Sequence, residues 1–355
     1  MKTVVIFGYG LAGKIFHGQL LNSVAGFEVI GILTGNDERV FQAKSDFPHA
    51  LVSNDLDALL DLNPDLVVVA GANVTHVPHS RAALSRGINV VIDKPIAANA
   101  QAVAELGELA HANGVAVLPF QNRRWDSDYL TLKATVDSGT IGTPHRFESR
   151  LERFRLLPKG DWRELNDPEA LGGVLYDFAP HLVDQALDLM GPVVSVNAHA
   201  RTVREIPVSD DDLLIILQHE SGGLSYLVGS LATALPGPRF TLAGTKGALR
   251  INDLDTQEKH LKLGEIPGDG WGIESAESTV EIWSSDAAGE LTHSTLPFEI
   301  GNWPEYYREV LAFLTESVLP TVSLDQAVAT TRVLDAARIS VANGEVVRLE
   351  PPATH

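Results

Sequence analysis

The chain has no cysteine and only two methionines among its 355 residues. Without thiols it can form no disulfide, no thiolate zinc site and no cysteine nucleophile, and it suits a reducing compartment. Positive charge is also scarce: 27 Lys and Arg stand against 46 Asp and Glu, a net charge of −19. So acidic a chain repels nucleic acid and anionic membranes, and the surplus reads as a solvated acidic surface. Long apolar runs are missing too, since none approaches the ~20 residues that a membrane helix requires. The first such run, residues 4–7, ends in a glycine turn, so no secretory leader is expected and the protein is expected to be cytoplasmic. What remains is 45% apolar and 21% charged, the balance of a soluble globular protein. The length exceeds one ordinary core, which predicts two domains.

The first third alternates between apolar β-rich runs (residues 4–7, 29–33, 66–70, 90–92 and 115–118) and helical segments. Asn63-Pro64, Gly87 and Asn113-Gly114 stop three of those helices, and Asn99 caps one of them. Apolar strands separated by helices imply a parallel sheet covered on both faces, an α/β Rossmann domain over residues 1–121. After Phe120 the pattern changes. A helix near 126–136 is followed by alternating segments at 146–150, 193–202, 213–219, 224–230, 240–243, 248–251 and 279–283. Turns such as Ser221-Gly222-Gly223 and Gly244-Thr245-Lys246-Gly247 separate some of them. Residues 253–278 read as loop, and helices at 304–316 and 324–342 finish the chain, the second between a Ser323 cap and a Gly344 stop. Residues 122–355 are therefore expected to form an α+β domain on a large, mainly antiparallel open sheet. The 324–342 helix could pack back on the first domain.

Gly8-Tyr9-Gly10-Leu11-Ala12-Gly13 lies between the first strand and the first helix. In a dinucleotide-binding turn of this spacing the first glycine permits the tight bend, the second lets backbone approach a pyrophosphate, and the third lets helix meet strand. The N-terminus of the helix that follows Gly13 offers N–H groups to the phosphates, and Leu11 and Ala12 of the turn are further candidate nucleotide contacts. An NAD-binding domain usually ends its second strand in an acid for the ribose 2′-hydroxyl. Here the strand ends Leu33-Thr34-Gly35-Asn36, with no carboxylate before Asp37. That favours NADP over NAD, with Thr34, Asn36 and Arg39 as candidate phosphate contacts; Arg39 could equally be an ordinary exposed helix residue.

Asp93-Lys94-Pro95 follows the fourth long strand at its carboxyl end, where open α/β sheets bind ligands. Pro95 holds Lys94 extended and admits a cis bond. A lysine there can hydrogen-bond a substrate hydroxyl; the plainer alternative is a surface lysine paired with Asp93. Further on, Asp177, His181, Asp184 and Asp188 fall at i, i+4, i+7 and i+11, a stripe opposite the apolar positions Phe178, Leu182, Ala186 and Leu189. A histidine one turn from carboxylates suits a general acid/base. Against this, His181 could be an exposed helix histidine and Asp177 an N-cap before Pro180. Asn122-Arg123-Arg124-Trp125, after the last strand of the first domain, could line a substrate cleft or form a basic linker with one packed tryptophan. Tyr129-x-x-x-Lys133 copies the catalytic pair of short-chain dehydrogenases, but the glycine spacing is wrong for them, so the pair reads as chance. His76 and His79 lack the company of cysteine or acid, so a positional role beside the cofactor is expected rather than a metal.

With these motifs the chain resembles the glucose–fructose oxidoreductase/inositol dehydrogenase (Gfo/Idh/MocA) family over nearly its whole length. The glycine turn, Asp93-Lys94-Pro95 in place of the usual Glu-Lys-Pro, and Asp177-x-x-x-His181 carry the likeness. Residues 121–126, Gly173-Val174-Leu175-Tyr176-Asp177 and Asp269-Gly270-Trp271-Gly272 look like its NADP-dependent scyllo-inositol dehydrogenase branch. The chain departs from the family at Gly71-Ala72, where Thr-Pro often stands, while Asn73 and His76 fit. The resemblance implies a catalytic set of Lys94, Asp177 and His181. It implies nucleotide contacts from the Gly8–Gly13 turn, Asn73, His76, Asp93, Lys94, Asn122 and Arg123, and substrate contacts from Lys94, Arg124, Trp125, Asp177 and His181. The expected activity is interconversion of a secondary alcohol and a ketone, or a lactol and a lactone, on a cyclic polyol or sugar. An inositol is the first choice, with no metal and a homodimer or homotetramer formed through the second domain's sheet. The alternatives are a reductase of another sugar, such as an anhydroketose, and a non-enzymatic NADP-binding sensor.

Overall fold

The computed structural model describes residues 1–158, 160, 164, 170–205, 208–286 and 288–350. It divides into two compact units, each described on its own below.

The first unit is built on six parallel strands: β1 (Lys2–Phe7), β2 (Phe27–Leu33), β3 (Leu51–Ser53), β4 (Leu66–Val69), β5 (Asn89–Ile92) and β6 (Val117–Pro119). They lie in the order β3-β2-β1-β4-β5-β6. The alternation of side chains along a strand explains why the central strands are apolar throughout. Val4, Ile6 and Val68 enter one core with Leu20 and Phe27, while Val5, Phe7, Val67 and Val69 enter another with Leu84 and Val103. A π-helical turn (Ala12–Gly18) leads into α1 (Gln19–Ser23), followed by α2 (Asp37–Asp46), α3 (Leu56–Leu60), α4 (Asn73–Leu84) and α5 (Ala100–Ala112). Asn99 caps α5 as expected, its side chain accepting the Ala102 N–H at 2.9 Å. Strand order reverses between β1 and β4, the point at which open α/β sheets bind ligands beyond the strand carboxyl ends.

The second unit begins with α6 (Ser127–Asp137) and β7 (Pro144–Glu152), then α7 (Val174–Asp177) and α8 (Ala179–Met190). Its further strands are β8 (Val193–Arg201), β9 (Asp212–His219), β10 (Leu224–Ser230), β11 (Phe240–Gly244), β12 (Gly247–Ile251), β13 (Thr279–Ser285), β14 (Leu291–Pro297) and β15 (Val347–Arg348). Among the described residues they form a nine-stranded sheet, β14-β13-β12-β11-β7-β10-β9-β8-β15. Its pairings are antiparallel except β7 with β10. One face packs on α8, where Leu182 and Val183 join Phe147, Leu227, Leu242 and Ile282 in a single core.

The chain returns to the first unit twice, through α9 (Gln257–Lys262) between β12 and β13, and through α10 (Pro304–Glu316) and the start of α11 (Leu324–Asn343) between β14 and β15. The units therefore differ from the contiguous 1–121 and 122–355 expected from sequence. The first takes Met1–Trp125, Thr256–Trp271 and Asn302–Val328, and the second takes the remainder. Burial is the reason. Leu261, Trp303, Tyr307 and Val310 are 0% exposed inside the first unit's core, and Ala327 joins its other core. α9 lies in the stretch read as loop. β14 gives no strand signal in the sequence because all seven of its residues are exposed, so no buried face imposes an apolar alternation.

Candidate active site

The three glycines of the first turn are required for different reasons. Gly8 has φ +98°, and a Cβ there would lie 2.6 Å from the Gly71 Cα. A Cβ on Gly13 would lie 1.9 Å from the Gly8 carbonyl oxygen. Both substitutions would collide with main chain. Gly10 is different: the nearest atoms to a Cβ there belong to the Arg39 guanidinium, at 3.8–3.9 Å. Among the described residues nothing demands glycine at this position, so the space over Gly10 fits a group that approaches the backbone from outside. Tyr9 anchors the turn. It is buried, and its hydroxyl donates to the Asp46 carboxylate at 2.8 Å, which lies 3.6 Å from the Lys14 amine. Burial and the Asp46 bond together raise the Tyr9 pKa. Leu11 is exposed and Ala12 buried.

The end of β2 holds the candidate 2′-phosphate contacts. Thr34 is buried, with its N–H donating to the Ser53 carbonyl at 2.9 Å. The Asn36 side chain accepts the Arg39 N–H at 3.1 Å and so caps α2, a structural duty in addition to the expected one. Arg39 is exposed, and its guanidinium stands over Gly10.

Beyond β4, Asn73 is buried at the first residue of α4. The His76 ring lies between two carbonyls, with Nδ1 2.8 Å from Pro95 O and Nε2 3.3 Å from Gly71 O. Burial lowers its pKa, with the Asp93 charge acting in the opposite sense. His76 thereby joins the β4 end to the Lys94-Pro95 turn, whose peptide is cis. His79 packs edge-on against Phe7, 5.4 Å between ring centroids. Asp93 is buried, and one of its oxygens accepts the Lys94 backbone N–H at 2.7 Å. The other lies 3.8 Å from Nε2 of His17, a contact longer than a hydrogen bond. Burial alone would raise the Asp93 carboxyl, but His17, Lys94 and His76 outweigh it and hold it below the usual carboxylate range. Lys94 itself is half-buried. Asn122, Arg123, Arg124 and Trp125 form a short 3₁₀ turn, and all four are buried, which excludes the exposed basic linker. Arg123 pairs with Glu258 at 2.7 Å, and Trp125 meets Tyr306 edge-on at 5.7 Å.

In the second unit, α7 and α8 present the remaining candidates. Gly173 has φ +82°, and a Cβ there would lie 2.1 Å from an Asp210 oxygen. That carboxylate accepts the Leu175 N–H at 2.8 Å, and the Asp210 carbonyl accepts the Val174 N–H at 3.0 Å. Asp210 therefore caps the short helix that ends at Asp177. Burial pushes the Asp210 carboxyl up to about 6, opposed by the bond from Leu175. Asp177 is not the N-cap of α8. The helix breaks at Phe178, which occupies that position with Pro180 in the first turn. The stripe is not an outward-facing one either: His181 and Asp184 are 7% and 2% exposed. Polar groups from neighbouring elements explain how α8 tolerates burial on both sides. Tyr129 donates to Asp188 at 2.6 Å, with Lys133 at 3.9 Å from the same carboxylate, so this pair secures α8. Arg239, 3% exposed, donates to Gln185 at 2.9 Å, Ser149 at 2.8 Å and Asp128 at 3.1 Å. Gln185 stands one turn beyond His181, so Arg239 helps to fix the helix that carries it.

Comparison with known proteins assigns the chain. Residues 2–120 match the model of the oxidoreductase family with an NAD-binding Rossmann fold, and residues 129–250 match the GFO/IDH/MocA C-terminal domain. The chain is 36% identical over 309 residues to the uncharacterized oxidoreductase YdgJ of Escherichia coli, covering 86% of this chain and 87% of that one. It is 30% identical over 349 residues to scyllo-inositol 2-dehydrogenase (NADP(+)) IolW of Bacillus subtilis, covering 98% and 96%. The solved structure of yvaA from Bacillus subtilis superposes with a TM-score of 0.92 at 28% identity, covering 98% of each chain. The chain belongs to the Gfo/Idh/MocA oxidoreductase family, and its first unit is an NAD(P)-binding Rossmann domain.

Proposed function

We propose that the protein is an NADP-dependent dehydrogenase of cyclic polyols or sugars, with an inositol, scyllo-inositol first, as its substrate. The observation that carries this reading is the open approach over Gly10 beneath Arg39, on the strand edge that also bears Lys94. The similarity to scyllo-inositol 2-dehydrogenase (NADP(+)) supports the choice of polyol.

The Gly8–Gly13 turn would hold the pyrophosphate, Thr34, Asn36 and Arg39 the 2′-phosphate, and Asn73, His76, Asp93, Asn122 and Arg123 the remainder. The bound nicotinamide supplies the hydride acceptor, or the donor in the reverse direction. The protein's own residues handle the proton. Lys94 donates a hydrogen bond to the reacting hydroxyl, and His181 removes its proton as the carbonyl forms. Asp177 orients and charge-stabilises that pair, while Arg124 and Trp125 contact the ring. Self-association is proposed through the second unit's sheet, as a homodimer or homotetramer. No helix among the described residues is long and apolar enough to cross a membrane; we place the protein in the cytoplasm.

The test is absorbance of reduced nucleotide across a polyol and sugar panel, run with NADP and NAD. His181→Ala should lose roughly 10²–10⁴-fold in turnover, the scale of a general acid/base, while still binding NADP. Lys94→Met should behave likewise with weaker substrate affinity. Normal turnover in His181→Ala would move the proton transfer to another residue, and wild-type protein inert on the whole panel would refute the polyol assignment.

A further inference from the structure

Nothing in the sequence marks His17 as a site residue, yet it occupies a singular place in the first unit. It lies in the π-helical turn that begins at Ala12 and is 0% exposed. Its Nδ1 is 2.7 Å from the Tyr307 hydroxyl. Its Nε2 has no hydrogen-bond partner among the described residues and lies 3.8 Å from the Asp93 carboxylate. Phe120 covers the ring at 4.2 Å between centroids. A carboxylate can only accept, so the N–H belongs on Nε2, facing Asp93, and the Tyr307 hydroxyl donates to Nδ1. Burial raises the Tyr307 pKa well above its usual value, which keeps that hydroxyl protonated as a donor. Asp93 in turn holds the Lys94 backbone N–H at 2.7 Å. Tyr307 is thus bonded to His17, His17 faces Asp93 across 3.8 Å, and Asp93 is bonded to the Lys94 backbone, with His17 in the turn of chain that follows the glycines.

We propose that His17 is a positioning residue: backed by Tyr307, it fixes the Asp93 carboxylate and through it the placement of Lys94. It links the nucleotide-binding turn to the lysine that handles the substrate hydroxyl. The proposal rests on the dehydrogenase reading above. The titratable groups that act on Asp93 are His17, His76, Lys94, Tyr306 and Tyr307, from the π turn, α4, the β5 end and α10. Of these, only His17 pairs a fully buried ring nitrogen with the carboxylate.

The experiment compares full-length wild type with His17→Leu, His17→Gln and Tyr307→Phe. His17→Leu should lower kcat about 10²-fold, the cost of a misplaced reacting group, with KM and the NADP Kd within about threefold of wild type. Asp93 loses the imidazole that favours its charge, so its carboxyl should rise back toward the usual range. His17→Gln keeps a donor toward Asp93 and should recover about tenfold of the loss, and Tyr307→Phe should fall between the two. A His17→Leu enzyme with kcat within about threefold of wild type overturns the proposal. So does a loss confined to stability that His17→Gln does not relieve. A substrate-free readout separates this failure from failure of the function. The rate at which an amine-reactive reagent labels Lys94, located by peptide mass spectrometry, should change about threefold or more in His17→Leu. If wild type turns over no polyol, the dehydrogenase reading falls and the labelling still decides on His17: an unchanged rate overturns the linkage.

Discussion

Alanine at each glycine of the first turn should separate folding from nucleotide binding. At Gly13 the new Cβ would lie 1.9 Å from the Gly8 carbonyl oxygen. Comfortable C···O contacts begin near ~3.3 Å, so the main chain must open by more than ~1 Å. Neither partner is a flexible side chain, which places the cost at the upper end of overpacking, ~3 kcal/mol, and lowers Tm by roughly 4 °C for a chain of this length. Gly8→Ala meets the Gly71 backbone at 2.6 Å from a left-handed φ, and the same loss is expected. Gly10→Ala meets only the Arg39 guanidinium at 3.8 Å, an ordinary contact, and Gly10 is absent from the positive-φ glycines. Its stability should be unchanged or raised by ~0.4–1 kcal/mol through the unfolded chain. Its methyl nevertheless stands where the proposed NADP pyrophosphate would meet backbone. A crowding cost of ~1–3 kcal/mol weakens NADP by about 5- to 150-fold. Melting without nucleotide and fluorescence titration with NADP measure the two quantities separately. A Gly10→Ala protein that melts with Gly13→Ala, or that binds NADP as wild type does, would refute the reasoning.

The difference between those glycines also shows what a sequence can and cannot carry. The spacing of Gly8, Gly10 and Gly13 announces a turn because backbone geometry there is local. The strands β1 and β4 are legible for a similar reason: residues 4–7 and 66–69 are buried to 0% on both faces, so every position must be apolar. His17 is not legible, because its role depends on Tyr307, 290 positions away in sequence. The Asp210 cap and the Arg239 cluster depend on side chains brought together from separate strands and helices. The stripe containing His181 has true helical spacing, but spacing does not reveal that polar partners on other elements allow that face to be buried. Tyr129 and Lys133 illustrate the converse. As a motif they read as chance, and three-dimensional packing gives them a shared carboxylate, Asp188.

Three further outcomes can be measured. Thr34→Asp, which puts a carboxylate at the end of β2, should turn a preference for NADP into one for NAD; titration of both nucleotides checks this, and equal affinities in wild type would show that the strand was misread. Arg239→Met takes the cation from the buried Asp128 and the donor from Gln185, so denaturant unfolding should show a loss of ~3–5 kcal/mol, against little change if the cluster were incidental. Asp210→Asn tests the cap of α7. Its carboxyl is raised from 3.8 to about 6, so the folded protein holds that proton more tightly than the unfolded chain does. The favourable contribution is therefore full below pH 3.8 and is lost as pH rises through about 6, leaving a charged, largely buried carboxylate above it at a cost of up to ~3 kcal/mol. Asparagine keeps an oxygen for the Leu175 N–H without the charge, so the variant should be the more stable protein at pH 8, and its advantage should shrink below pH 5. A variant less stable than wild type at pH 8 would mean that the charge itself, acting on the start of α7, is what holds this helix in place.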